Sequence, residues 1–165
     1  MPERINIMVV PASDAGLRRL IAELDSYLSG LYPADEIFAV DLEAAETREM
    51  IFAVAYTDGK AVGCGAIRRL DEAAAELKRF YVLPECRRSG IAGELCRFLE
   101  KRCREQGIAV LRLETGAPQY ESLGFYRKQG FYGIDRYGEY VHCESSLCME
   151  KRLTDTANET INPET

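Results

Sequence analysis

Apolar residues along the chain recur at two spacings, and each spacing predicts one kind of element. Leu17, Leu20 and Leu24 recur every three or four residues, which is typical of one face of a helix. Short apolar or alternating runs bounded by turn residues are typical of strands instead. The strands predicted in this way are Ile5–Val10, Ile51–Tyr56, Ala61–Leu70, Ala75–Val82, Ile108–Leu113, Gly130–Ile134 and Ser146–Leu153.

Longer helices are predicted between these strands, and capping residues mark their ends. Ser13 or Asp14 can cap the first helix, because their side-chain oxygens accept hydrogen bonds from the free N–H groups of a first helical turn. A glycine after the last apolar position is typical of a helix C-terminus. The predicted helices run from Ser13 or Asp14 to Gly30, from Gly90 to Gln106 and from Pro118 to Gln129, with a short one around Leu42 to Arg48.

The order of the predicted elements indicates the fold class. One strand and one helix precede three meandering strands, and helices and strands then alternate before the final strand. Such an order predicts a mixed α/β sheet with helices on both faces, and 165 residues fit one such domain. We expect the folded domain to cover residues 1–153. Residues 154–165 have almost no apolar side chains and are expected to form a disordered tail.

Composition and charge exclude several classes of protein. The chain has 21 basic and 27 acidic side chains, so its net charge is −6 with His142 neutral, and 47% of its residues are hydrophobic. General nucleic-acid binding needs a net basic face and is therefore not expected. The apolar run at Ile5–Val10 is too short for a membrane span or a secretion signal, so we expect a cytoplasmic protein with no membrane partner.

The cysteines and the single histidine favour neither a disulfide framework nor a metal centre. The chain has six cysteines but no pair at the CxxC spacing and no recognisable secretion signal, so reduced thiols and no metal are expected. Because His142 is the only histidine, a metal site or a catalytic triad through it has little support. The cysteines are Cys64, Cys86, Cys96, Cys103, Cys143 and Cys148.

The segment Val82–Leu95, which reads VLPECRRSGIAGEL, has the chemistry of an anion site. The first N–H groups of a helix lack partners and carry partial positive charge, to which Arg87 and Arg88 add full charges. Gly90 allows the backbone to approach a phosphate closely. The segment is not a Walker motif and lacks the GxGxxG spacing of dinucleotide folds. A turn with a glycine cap and two solvated arginines is the alternative interpretation.

Three pieces of the chain together resemble one known family. Arg87, Gly90 and Ala92 match the signature Gln/Arg-x-x-Gly-x-Gly/Ala of the GNAT superfamily of acyl-CoA-dependent N-acetyltransferases. Leu113–Gly116, which reads LETG, is similar to the end of the next strand in that family. Leu123–Phe131, which reads LGFYRKQGF, resembles the family's Leu-Tyr-x-x-x-Gly-Phe element. The order and spacing of the three pieces make the resemblance specific.

The resemblance is tight over residues 75–131 and looser from the first strand to Leu153, and it implies a fold and a cosubstrate. The implied fold is a single-domain, GNAT-like mixed α/β fold with a mostly antiparallel sheet, helices on both faces and a splay between Phe80–Val82 and Leu113–Thr115. Acetyl-CoA would be the acyl donor, with the backbone amides of Arg88–Gly93 on its pyrophosphate. The implied cofactor-binding residues are Tyr81, Val82, Arg87, Arg88, Ser89, Gly90, Ile91, Ala92 and Gly93.

The resemblance also implies how the thioester is held and which group protonates the leaving thiolate. The pantetheine arm would pair like an extra strand beside Tyr81 and Val82, and the Val82 N–H would polarise the thioester carbonyl as an oxyanion hole does. Tyr126 matches the family's proton-donating tyrosine, and a phenol with a pKa of about 10 keeps its proton at neutral pH. The alternative role of Tyr126 is to pack beside Phe125 in the core.

Glu76 is the candidate for the base that deprotonates the acceptor amine before it attacks. It stands six residues before Val82, where some histone-type members of the superfamily carry a catalytic glutamate. The alternative is an exposed strand glutamate that pairs with Lys78 on the same face, since strand faces alternate. Other members of the superfamily use backbone carbonyls and water chains instead. The sequence leaves this choice open.

The acceptor side is expected to be built from Tyr27–Phe38 and Tyr137–Ser146. The leading hypothesis is an N-acetyltransferase that transfers the acetyl group of acetyl-CoA to a primary amine of a small molecule, amino acid or peptide. Transfer would occur by direct attack in a ternary complex. A non-catalytic acyl-CoA-binding regulatory module and a protein lysine acetyltransferase stay open as alternatives. A homodimer is also open, because dimers are common in this superfamily.

Overall fold

A computed structural model describes residues 4–38, 41–44, 47, 49–116 and 119–153. None of the helices in this part of the chain is long and apolar enough to cross a membrane. The strands are β1 (Ile5–Val10), β2 (Ile51–Thr57), β3 (Lys60–Arg69), β4 (Ala74–Val82), β5 (Val110–Gly116), β6 (Tyr132–Ile134) and β7 (Ser146–Arg152). The α-helices are α1 (Ala15–Ser29), α2 (Ile91–Glu105) and α3 (Tyr120–Lys128).

The strands of the described residues form one sheet in the order β1-β2-β3-β4-β5-β7-β6. The pairs β1–β2, β2–β3, β5–β7 and β6–β7 are antiparallel. β7 lies between β5 and β6, with Gly116 opposite Ser146 and Tyr132 opposite Glu150. The last strand in the chain is therefore an interior strand of the sheet, as the order and register require.

The predicted strands and long helices are present in the predicted order, but β5 and β6 differ from their predicted bounds by two or three residues, and β6 begins at Tyr132 instead of Gly130. The strand predicted over Ile108–Leu113 begins at Val110 and ends at Gly116, because Ile108 takes part in the cap that follows α2. Gly107 has φ +76°, and Ile108 N–H donates to Cys103 O at 2.9 Å, which is a helix C-terminal cap. The short helix predicted around Leu42 to Arg48 overlaps residues outside the described set, and the predicted tail lies wholly outside it.

The chain divides into two compact units. The first takes the residues up to Arg68 together with Leu77–Leu99, and the second takes Arg69–Glu76 together with the residues from Glu100 onward. β4 and α2 therefore each contribute residues to both units. The segment with the predicted anion chemistry lies in the first unit, whereas both predicted catalytic residues belong to the second.

Small residues on β2 and β3 let α2 lie close to the sheet in the first unit. Ala53 pairs with Gly65, and Ala55 pairs with Gly63. A Cβ atom at Gly65 would lie 2.7 Å from Leu99 Cδ1, which is closer than real Cβ atoms approach. Because protein interiors are close-packed, a larger residue at this position would force the side chain of Leu99 to shift. Glycine at position 65 therefore leaves room for the side chain with which α2 packs on the sheet.

α1 packs within the first unit through an apolar stripe, and one carboxylate fixes its N-terminus. Leu17 and Leu24 on this stripe are buried. Asp14 Oδ2 accepts hydrogen bonds from Leu17 N–H at 2.9 Å and from Tyr56 Oη at 3.0 Å. Of the two predicted N-cap residues, Asp14 is thus the one that caps the helix.

The six cysteines are free thiols, and burial makes several of them chemically inert. Burial raises the pKa of Cys64 and of Cys103 to about 12. The thiolate is the reactive form of cysteine, so neither residue reacts readily at neutral pH. Cys86 and Cys143 are half-buried and are the more accessible thiols.

Candidate functional site

The β4–α2 loop, residues 83–90, is fixed at its base by backbone hydrogen bonds. Leu83 N–H donates to Val62 O at 2.9 Å, which ties the first loop residue to β3. Pro84–Cys86 forms a single 3₁₀ turn, in which Cys86 N–H donates to Leu83 O at 2.9 Å. The four residues that follow are exposed. The first residues of the loop are thus fixed by hydrogen bonds, and its last four residues face solvent just before α2.

Backbone conformation at the end of this loop creates a group of N–H donors. Arg88 has φ +64° and Gly90 has φ +89°, so both adopt left-handed conformations that are common in backbone anion sites. The hydrogen bond from Glu94 N–H to Gly90 O, at 3.1 Å, opens the helix, so the N–H groups of residues 91–93 have no acceptor in a preceding turn. A Cβ atom at Gly90 would meet nothing within 4 Å. Glycine is therefore needed there for its backbone conformation rather than for space.

Arg87 is exposed, but its side chain contacts the end of β4. Its Nε donates to Val82 O at 3.0 Å, and its guanidinium carbon lies 5.8 Å from the centroid of the Tyr81 ring. Both Arg87 and Arg88 are exposed, which agrees with the alternative interpretation of two solvated arginines, although Arg87 also makes a defined contact with the strand end. The fold thus brings together three predicted cofactor-binding residues at one strand end.

The remaining predicted binding residues fix the loop or begin the helix. Ser89 Oγ donates to Cys86 O. Ile91 is buried in the core of the first unit, and Ala92 packs against that core while half-buried. A Cβ atom at Gly93 would lie 3.2 Å from the flexible end of Arg97. The structure tests the placement of these residues, and their contact with a cofactor stays a prediction.

Glu76 is fully buried in the second unit, at 0% exposure, and is held by two tyrosines. Tyr137 Oη donates to Glu76 Oε2 at 3.0 Å, and Tyr140 Oη donates to the same oxygen. We call these three residues the tyrosine cluster. The predicted alternative of an exposed glutamate beside Lys78 is wrong, because both side chains are buried. The role of Glu76 as a base stays a prediction.

The surroundings of the tyrosine cluster keep both phenols protonated. The rings of Tyr137 and Tyr140 meet edge to face, with centroids 5.3 Å apart. Burial, and after it the charge of Glu76, raises the pKa of Tyr137 and of Tyr140 well above the usual range. Arg112 lies 5.7 Å from the Tyr137 ring centroid, and its Nε donates to Glu150 at 2.9 Å. Both tyrosines are therefore hydrogen-bond donors at neutral pH.

Tyr126, the predicted proton donor, lies on α3 in the second unit and is 8% exposed. Its ring meets Phe125 edge to face at 5.4 Å and Phe131 at 5.7 Å. The packing role that the sequence left as the alternative is therefore present. Packing does not exclude proton donation, and the catalytic role of Tyr126 stays a prediction.

Sequence reasoning missed two arrangements of side chains. It did not connect Glu76 with tyrosines 61 and 64 residues away. It also missed Arg79, a buried residue with φ +54° inside β4, whose guanidinium pairs with Asp25 on α1. Burial lowers the pKa of Arg79 to about 10. The left-handed position is occupied by arginine rather than by glycine, so the sequence carried no signal for it.

The two segments predicted to line the acceptor site, Tyr27–Phe38 and Tyr137–Ser146, expose different side chains to solvent. In the segment that begins at Tyr137, Val141 and His142 are exposed, and Cys143 Sγ lies 3.4 Å from Ser145 Oγ. In the other segment Tyr27 is exposed. The described residues contain no group of three or more His, Cys, Asp or Glu side chains able to hold a metal ion. The binding of an acceptor by these segments stays a prediction.

Comparison with known proteins gives matches over most of the chain. The family model "Acetyltransferase (GNAT) family" matches residues 17–131. An "IAA acetyltransferase" from Azospirillum brasilense is 40% identical over 144 residues, which cover 87% of this chain and 94% of that protein. A Klebsiella pneumoniae structure described as an acyl-CoA N-acyltransferase is 31% identical, with a TM-score of 0.80 over 90% of this chain and 97% of that one.

A further solved structure shares the fold at lower identity. The PaiA N-acetyltransferase from Thermoplasma acidophilum, solved in complex with coenzyme A, has a TM-score of 0.68 and 23% identity, covering 90% of this chain and 99% of that one. Together with the Klebsiella structure it confirms the predicted fold class, a mixed α/β sheet that is mostly antiparallel.

Proposed function

The chain belongs to the GNAT family of acetyltransferases, and on that basis we propose that it transfers the acetyl group of acetyl-CoA to a primary amine. The acceptor is a small molecule, an amino acid or a peptide. The six free cysteines fit a reducing compartment, which supports a cytoplasmic location for the reaction.

The observation that carries this proposal is the backbone of the β4–α2 loop and the first turn of α2. Two left-handed residues, Arg88 and Gly90, precede N–H groups that have no acceptor in a preceding turn. Such a group of donors at a helix N-terminus favours a phosphate, and the helix dipole adds to the attraction. We assign the pyrophosphate of acetyl-CoA to the amides of Arg88–Gly93. The positive charge that attracts the pyrophosphate is therefore local to this loop, although the whole chain has a net charge of −6.

The end of β4 is assigned to the thioester arm. Tyr81 and Val82 would pair with the pantetheine through their main-chain groups, and the Val82 N–H would donate to the thioester carbonyl. A donor aimed at an oxygen that gains charge stabilises the transition state. Arg87 supports this role, because its hydrogen bond to Val82 O holds the strand end in a fixed conformation.

The proposed transfer is a direct attack in a ternary complex. The amine nitrogen forms a bond to the thioester carbonyl carbon, and the carbon–sulfur bond breaks. Tyr126 donates its phenolic proton to the departing thiolate, which leaves as the thiol. The proton released by the amine passes to a base, and the phenolate recovers a proton from solvent. No acyl-enzyme is needed, so no protein nucleophile is assigned.

There are two candidate sources of the base that takes the proton of the amine. The first is Glu76, and the second is backbone carbonyls with a water chain. A base must come within hydrogen-bond reach of the proton that it removes, directly or through one water. Glu76 has no exposed surface, and one of its oxygens already accepts two tyrosine hydroxyls. These contacts support the second source, backbone carbonyls with a water chain.

Release of free CoA from acetyl-CoA tests the proposal directly. The panel of acceptors contains amines, amino acids, peptides with free N-termini and IAA, the compound named for the Azospirillum relative. We expect turnover with at least one amine. Tyr126→Phe should lower kcat by about 10²-fold, the scale of a lost general acid, and should leave the Kd of acetyl-CoA unchanged. Tyr132→Phe is the matched control, because Tyr132 is exposed and donates to Glu150 instead.

Three outcomes would overturn parts of the proposal. If acetyl-CoA does not raise the melting temperature, the cosubstrate is wrong. If it binds but no acceptor turns over, the non-catalytic binding module replaces the enzyme. Wild-type turnover in Tyr126→Phe would remove Tyr126 as the acid while leaving the transferase reaction in place.

A further inference from the structure

We propose that Glu76 is a positioning residue for the transfer reaction: its buried carboxylate holds Tyr137 and Tyr140 and thereby fixes the turn between them. This turn opens the segment Tyr137–Ser146 that is predicted to line the acceptor site, so the inference rests on the proposed function. Glu76 then acts on the acceptor through the two tyrosines and exchanges no proton with it.

The carboxylate of Glu76 is the acceptor that joins the two tyrosines. Both tyrosine hydroxyls donate to Oε2 of a side chain at 0% exposure. A buried carboxylate is costly unless donors satisfy it, and hydrogen bonds to a charged group are stronger than neutral ones. Glu76 and the two tyrosines therefore stabilise one another. Removal of one partner takes a hydrogen bond away from a buried polar group and destabilises the folded state.

The turn between the two tyrosines is closed by local backbone hydrogen bonds. Within residues 138–142 only Tyr140 is buried, and its four neighbours are exposed. Gly138 has φ +55°, and Tyr140 N–H donates to Tyr137 O at 3.0 Å, so the turn closes on itself. An exposed turn with local hydrogen bonds needs an anchor to keep one position, and the hydroxyl of Tyr140 on Glu76 supplies it.

Other charged and titratable groups lie around the cluster on each neighbouring element. Arg112 on β5 stacks over the outer ring, that of Tyr137, and is paired with Glu150. Glu139 of the turn, together with Cys148 of β7, contributes to the electrostatics of the two phenols. Because these groups also act on the two tyrosines, a kinetic effect of one variant alone would not identify the positioning role.

The choice of replacement at position 76 separates positioning from base catalysis. Both hydroxyls donate to a single oxygen, so the carbonyl oxygen of a glutamine can accept both. Glu76→Gln should keep kcat within about threefold of wild type, with an unchanged pH profile, whereas a lost base would lower kcat by about 10²- to 10⁴-fold and remove one limb of the profile. Glu76→Leu accepts no hydrogen bond and should lower kcat/KM by at least about tenfold.

The tyrosines supply the matched variants. Tyr140→Phe should raise the KM of the acceptor by about fivefold, the effect of about 1 kcal/mol, while the KM of acetyl-CoA stays unchanged. Tyr137→Phe should act in the same direction. If Glu76→Gln abolishes turnover while both phenylalanine variants behave as wild type, Glu76 is the base and the positioning role is wrong.

Amide hydrogen exchange tests the inference without any acceptor and so separates its failure from that of the proposed function. The amides of Tyr140, Val141 and Cys143 close the turn, as donors to Tyr137, Gly138 and Tyr140. Their exchange should be at least about tenfold faster in Glu76→Leu and unchanged in Glu76→Gln, because local opening controls exchange. Should Glu76→Leu fail to fold, Tyr140→Phe serves in its place. Unchanged exchange in the tested variant would overturn the positioning role, whatever the protein acetylates.

Discussion

The β4–α2 loop, with the first turn of α2, offers main-chain N–H groups beside exposed side chains, whereas the tyrosine cluster buries polar side chains around one carboxylate oxygen. The loop is built from consecutive residues and depends on backbone conformation at Arg88 and Gly90. The cluster joins residues that are more than 60 positions apart and depends on three side chains. The loop should therefore tolerate most side-chain changes except at its glycine, and the cluster should tolerate only replacements that keep its donors and acceptor.

The largest expected effect lies in the tyrosine cluster. Tyr140→Phe removes a donor from a buried carboxylate, and a hydrogen bond to a charged group contributes about 1.5–3 kcal/mol. We expect the free energy of unfolding in urea to fall by that amount. Tyr132→Phe is the control, since Tyr132 is exposed and donates to Glu150, and surface changes stay within about 0.5 kcal/mol. Equal losses in the two variants would contradict the difference drawn between buried and exposed pairs.

The next effect distinguishes conformation from space at the loop glycine. A residue with a Cβ atom in the left-handed region costs about 1–2 kcal/mol, so Gly90→Ala should either lose that stability or rearrange the loop. We expect the Kd of acetyl-CoA, measured by calorimetry, to rise by about tenfold. Gly107→Ala is the matched control, because Gly107 has φ +76° in open space at the other end of α2. It should lose similar stability and bind acetyl-CoA as wild type does.

A smaller effect is expected at the arginine that folds onto β4. Arg87→Ala removes the hydrogen bond to Val82 O and one positive charge. At about 0.5–1.5 kcal/mol per hydrogen bond, the Kd of acetyl-CoA should rise by about 2- to 10-fold. Arg102→Ala makes the same charge change near the other end of α2, and it should leave the Kd unchanged. Equal effects of the two variants would mean that overall charge, rather than the strand end, attracts the ligand.

The smallest effect concerns alkaline pH. The folded pKa of Tyr137 and of Tyr140 is raised, first by burial and then by Glu76, so the folded state holds these protons more tightly than the unfolded state. Their contribution to stability is complete below the unfolded pKa of about 10 and is lost as pH rises above it. The Tyr137→Phe/Tyr140→Phe variant should show a shallower loss of stability between about pH 10 and 11 than wild type. An equally steep loss in both proteins would contradict the raised pKa values.

Local features account for what the sequence predicted correctly. Asp14 before an apolar stripe and Gly90 at a helix start are read within a few residues, because caps and left-handed turns are local. Ile108 was misplaced because an apolar residue after Gly107 fits a strand as well as a helix cap. The partners of Glu76 could not be predicted, since they depend on how distant segments pack in the folded chain. The pattern of polar and apolar residues shows that a strand residue is polar, but it does not show which distant donors will form hydrogen bonds with that residue.

The most direct test of the central claim is the response of individual backbone amides to acetyl-CoA, followed by nuclear magnetic resonance of the ¹⁵N-labelled full chain. If the loop and the first turn of α2 hold the pyrophosphate, the amides of Arg88–Gly93 should show large shifts that saturate with the same Kd as calorimetry. The amides at the opposite end of α2, around Gly107, should keep their chemical shifts. Saturable binding of acetyl-CoA that leaves the amides of Arg88–Gly93 unshifted would contradict the account.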